Sequence, residues 1–109
     1  MKAHRFAILL FSCCLLITPA ALFAQTSADA SLVTNPVFQK NCAKCHGKTA
    51  EGRHFGGPSL MSEKIGAVSD DELRNVINNG KGRMPKYAGK LSPEEINTLV
   101  EQIRALKKK

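Results

Sequence analysis

The chain has 109 residues, 16 basic and 9 acidic, for a formal charge of +7. That length allows one small domain at most. Aromatic residues make up 6% and there is no tryptophan, so no basic face interleaved with stacking rings is available, and nucleic acid is not an expected partner.

Residues 1–24, MKAHRFAILLFSCCLLITPAALFA, read as a secretory signal. Lys2 and Arg5 start it, an apolar run from Phe6 to Ile17 follows, and Ala24 marks the expected cut. The run is too short to span a bilayer of about 20 helical residues, so no membrane span is expected after cleavage. Cys13 and Cys14 lie in the apolar run and are expected to leave with it. Cleavage leaves 14 basic and 9 acidic residues, a net of +5, on a chain small enough to need a staple or a bound group. Only Cys42 and Cys45 then remain.

Residues 25–34 are polar and small, and are expected to form a flexible lead-in. Residues 35–109 form the expected domain. Asn35-Pro36 opens a first helix, with Asn as cap and Pro at the first position, running to Gly47. Five glycine and proline residues between 47 and 58 predict a loop. A second helix starts at Ser69-Asp70-Asp71-Glu72, a capping box, and stops at Gly80. A second loop, GKGRMPKYAGKL, covers residues 80–91. Ser92-Pro93-Glu94-Glu95 opens the third helix. Ile96, Leu99, Val100, Ile103 and Leu106 form its apolar stripe, and Lys107 to Lys109 its basic end. No stretch alternates with the period of a strand. The fold class is therefore all-α: three main helices and glycine-rich loops, with too little apolar mass for a sizeable core.

The chemistry is concentrated in CAKCHG, residues 42–47. C-x-x-C-H is the signature of c-type haem attachment. Thiols three apart on a helical turn reach two vinyl groups on one porphyrin edge, and His46 follows as a ligand. Three rivals compete. A redox dithiol expects a βαβ context, which this pattern lacks. A zinc site from Cys42, Cys45, His46 and His54 would need four ligands in closed geometry. A structural Cys42–Cys45 disulfide would close too small a loop to stabilise much.

With haem bound through His46, Met84 is the candidate sixth ligand. It stands between flexible Gly80 and Gly82 and rigid Pro85. Met61 is expected to pack, and His54 to be exposed. Pro58 is placed to present a carbonyl to the second nitrogen of His46, and Leu60 to pack on the haem. Tyr87 is a candidate partner for a propionate.

These features together resemble a small bacterial class I c-type cytochrome. The likeness rests on Phe38, CAKCHG, GGPSL at 56–60, GRMP at 82–85 and the last helix. It implies one haem c, covalent through Cys42 and Cys45, ligated by His46 and Met84, with the Pro58 carbonyl bonded to His46. It implies a one-electron carrier rather than an enzyme, periplasmic or otherwise exported. The alternative is a haem sensor or small haem enzyme with an exchangeable sixth ligand. Redox partners are expected at a basic surface formed by Lys44, Lys48, Lys81, Arg83, Lys86 and Lys90. Two positions depart from the family pattern, Thr34 for a glycine and Gln102 for an aromatic residue. The crossing of first and last helices is therefore expected to be purely aliphatic, around Phe38, Leu99 and Ile103.

Overall fold

A computed structural model describes residues 31–108. The signal segment 1–24 and most of the expected lead-in lie outside them.

Among the described residues the regular elements are all helical. A 3-10 turn, Leu32–Thr34, precedes α1 (Pro36–Asn41), α2 (Ala43–His46), α3 (Glu63–Ala67), α4 (Asp70–Asn79) and α5 (Pro93–Ala105). Only isolated bridges, Lys81–Met84 and Ala88–Leu91, pair extended backbone. The three expected helices are present, with two differences. The first is interrupted at Cys42, which separates α1 from α2, and α3 is an additional short helix.

The caps follow the local chemistry. Asn35 accepts from Val37 N at 2.8 Å, with Pro36 next. Ser92 and Glu95 form both bonds of a capping box, at 2.8 and 3.1 Å. Ser69 caps α4 by accepting from Glu72 N at 3.2 Å, the forward half of the expected box. The last helix stops at Ala105 rather than running on through the lysines. Lys108 instead turns back and donates to the Ile103 and Leu60 carbonyls.

The core collects Leu73 and Ile77 of α4 against Ile96, Leu99, Val100 and Ile103 of α5. Phe38 and Ala43 enter from the first helix pair, Ala50 and Leu60 from the loop. Leu32 is 1% exposed and belongs to this core. The end of the expected lead-in is thus a packed turn against α5.

The helix crossing is not purely aliphatic. Asn35 Nδ2 donates to Gln102 Oε1 at 2.7 Å, with both residues buried. A buried amide needs such a partner, and Gln102 supplies it where the family pattern has a ring.

A second polar clamp holds the middle of the chain. Arg104 donates to the carbonyls of Ile65, Gly66 and Val68 and to Asp70 Oδ1. It satisfies the open C-terminal carbonyls of α3. This explains how so short a helix is held.

Candidate haem-attachment site

The site begins with the break at Cys42. Its backbone (φ −114°, ψ −37°) leaves ideal helix geometry. Cys42 N still donates to Phe38 O at 2.8 Å, and His46 N to Cys42 O at 3.0 Å. One further turn therefore presents Cys45 and His46, and Gly47 at φ +82° ends it.

The glycine-rich loop then folds back on this turn. Gly52 N donates to His46 O and Gly57 N to Cys45 O, each at 2.7 Å. Arg53 donates to Lys44 O at 2.9 Å. A Cβ at Gly57 would lie 2.6 Å from His46 Cε1 and 2.7 Å from Nδ1, so the backbone lies against the imidazole as only glycine allows. The GGP run is thus a cradle for the ring as well as a turn.

His46 is buried, and its Nδ1 lies 2.8 Å from the Pro58 carbonyl oxygen. A carbonyl only accepts, so Nδ1 carries a proton, and in the neutral ring the free lone pair is then on Nε2. This is the arrangement of a metal-ligating histidine. Pro58 itself is exposed, while Leu60 is buried beside it.

Cys42 is half-buried and Cys45 exposed, and both are free thiols. Burial, with the neighbouring Cys45 adding to it, pushes the Cys42 thiol up to about 11. Among the described residues no three His, Cys, Asp or Glu side chains group to hold a metal ion. His54 is exposed, edge-on to Phe55 at 4.6 Å, and does not join the other three candidate zinc ligands. The donors fit a thioether-linked haem better. Two free thiols flank one turn, and a ring nitrogen with a lone pair follows directly.

Met84 sits in a tight turn. Met84 N donates to Lys81 O at 3.0 Å, and Lys81 N to Met84 O at 3.2 Å. Gly80 has φ +75°, and a Cβ there would come within 2.4 Å of Met84 O. Met84, Tyr87, Cys42 and Leu91 are half-buried and pack against one core. Met61 is half-buried and outside that cluster. The Tyr87 hydroxyl donates to Asn41 O at 2.7 Å. Burial first, then Cys42 and Cys45, raise its pKa. Sequence reasoning missed Gly57 and the Tyr87–Asn41 bond. The first had a signal in the glycine pair before Pro58. The second joins residues 46 apart, and nothing local announces it.

Among the described residues, helices without a sheet around one C-x-x-C-H turn, with its histidine held by a proline carbonyl, define a small class I c-type cytochrome with a single haem-attachment motif. The chain belongs to the family described as cytochrome C oxidase, cbb3-type, subunit III, whose model matches residues 34–103. It is 34% identical to the cbb3-type cytochrome c oxidase subunit FixP of Bradyrhizobium sp. (strain ORS 278), over 64% of this chain and 25% of that protein. The chain thus spans only a quarter of that relative. It is 30% identical to cytochrome c6 of Thermosynechococcus vestitus, over 94% of this chain and 91% of that protein. Among solved structures, the c-type cytochrome KustC0563 superposes with a TM-score of 0.61 at 26% identity, over 72% of this chain and all of that one.

Proposed function

We propose that the chain is an exported one-electron carrier. It would hold one haem c through thioether bonds at Cys42 and Cys45, with His46 and Met84 as axial ligands. The observation that carries this is the contact from His46 Nδ1, in the C-x-x-C-H turn, to the Pro58 carbonyl of the loop that follows. In the neutral ring it selects the tautomer whose Nε2 is free to ligate iron.

When bound, haem supplies an iron that gains and loses one electron, and thioether ligation favours its reduced state. The chain's own residues supply the frame. The Pro58 carbonyl and Gly57 fix the orientation of His46. Gly80 and the Lys81–Met84 bonds fix the backbone that carries the thioether. Leu60 adds a buried apolar wall. Two ligands on a fixed frame suit electron exchange with little movement.

Residues 1–24 would be removed on export. No helix among the described residues is long and apolar enough to cross a membrane. Lys44, Lys48, Lys81, Arg83, Lys86 and Lys90 are all exposed. They are proposed to steer acidic redox partners.

The test is optical. The chain is expressed with its signal in a host that has haem-attachment machinery. A pyridine adduct of the denatured protein reports covalent haem. The expected ferric spectrum has the weak far-red band of iron–sulfur ligation, absent in Met84→Ala. Covalent haem without that band, or with ready carbon monoxide binding, would favour a sensor or enzyme. No covalent haem would sink the reading.

A further inference from the structure

The break at Cys42 has a consequence for the distal loop. Cys45 N donates to Cys42 O at 3.1 Å instead of reaching back to Asn41. The Asn41 carbonyl is taken by the Tyr87 hydroxyl at 2.7 Å. Tyr87 is three residues past Met84. Its own backbone is anchored: Tyr87 N donates to Ile77 O at 3.0 Å, and Tyr87 O accepts from Lys90 N and Leu91 N at 2.9 and 3.0 Å. A rigid stretch of the loop thus reaches across 46 residues of sequence to the residue before the first attachment cysteine.

We propose that Tyr87 is a positioning residue, a latch whose hydroxyl ties the Met84 loop to the haem-attachment helix and so sets how firmly Met84 holds its ligand position. The proposal rests on the reading of Met84 as an iron ligand. Opening the loop to an external ligand must stretch or break the Tyr87–Asn41 bond. The ring packs against the core in either case, so the effect belongs to the hydroxyl alone.

The experiment titrates the ferric holoprotein with imidazole and follows loss of the far-red band. Tyr87→Phe keeps the ring and removes the donor. It is expected to bind imidazole about two- to tenfold more tightly than the parent, the fold-change of one net hydrogen bond. Ser92→Ala, which removes the cap of α5, controls for a general loss of stability and is expected to match the parent. Tyr87 is the one tyrosine of the chain, so biosynthetic 3-fluorotyrosine changes this residue alone. Its more acidic phenol is a better donor, and it should weaken imidazole binding below its own pKa. That second form carries the test if Tyr87→Phe yields no holoprotein. A parent protein without the far-red band overturns the ligand reading and the latch with it. A band lost in Met84→Ala, with imidazole affinity the same in the parent, Phe and fluorotyrosine forms, overturns the latch alone. So does a Ser92→Ala protein that shifts as far as Tyr87→Phe.

Discussion

At the scale of single residues, three loop glycines carry different constraints. Gly80 and Gly82 both have positive φ, +75° and +59°. A side chain at Gly82 meets nothing within 4 Å, whereas one at Gly80 meets Met84 O at 2.4 Å and Pro85 C at 3.0 Å. Gly82→Ala therefore carries the backbone cost alone, about 1–2 kcal/mol. Gly80→Ala adds a clash with the backbone of Met84, the proposed ligand, and is expected to cost clearly more. Denaturant unfolding of the two holoproteins gives the comparison, and equal midpoints would contradict it. Gly57 has no unusual φ, and its constraint is the imidazole against it. Gly57→Ala must push the ring or the loop aside, a strain of about 1–3 kcal/mol. The expected result is a lower yield of covalently loaded protein, and a far-red band that moves because His46 is re-aimed.

At the scale of elements, the buried amide pair of Asn35 and Gln102 has two separable jobs. Asn35 Oδ1 caps α1, while its Nδ2 donates to Gln102. Asn35→Ser keeps a cap-forming oxygen but is too short to reach Gln102. It should cost about 1 kcal/mol, the net value of one hydrogen bond. Asn35→Ala loses both and should cost about 2 kcal/mol. If Asn35→Ser unfolds at the same denaturant concentration as the parent, the pair is not a stabilising contact. The elements themselves were largely legible, because caps and stripes are local. Asn35-Pro36, Ser69 and Ser92 mark the starts that the structure uses. The CAKCHG turn was legible for the same reason. The break at Cys42, the short α3 and the packed Leu32 turn were not. Each depends on partners far along the chain: Tyr87 on Asn41, Arg104 on the α3 carbonyls, and α5 against the 3-10 turn. At the crossing, Thr34 and Gln102 pointed to an altered contact. They did not disclose that Asn35 would answer Gln102 with a hydrogen bond, since that requires both helices in place.

At the scale of the whole molecule, the helices enclose a core whose largest fully buried side chains are only Phe38, Leu32, Leu99 and Val100. A domain of this size seldom stabilises itself by such a core without a staple or a bound group. Cys42 and Cys45 are the cysteines of the attachment turn, and they are not joined to each other. On the proposed attachment at Cys42 and Cys45, the bound group would supply the remaining stabilisation. Replacing both, as Cys42→Ser with Cys45→Ser, changes two small side chains, one exposed and one half-buried. On side-chain burial alone the loss would be minor. If cofactor attachment and folding are linked, it removes the group that binds only the folded state, and with it a large part of the stability. The expected outcome is a variant without covalent haem and without a cooperative thermal transition by far-UV circular dichroism, while the loaded parent melts sharply. The caps of α4 and α5 are local, so residual helix signal can persist. Sharpness of the transition and protection of the α5 amides from exchange are therefore the decisive readouts. A double-serine protein that melts sharply and protects those amides would show that the protein core suffices, and that the attached group serves electron transfer alone.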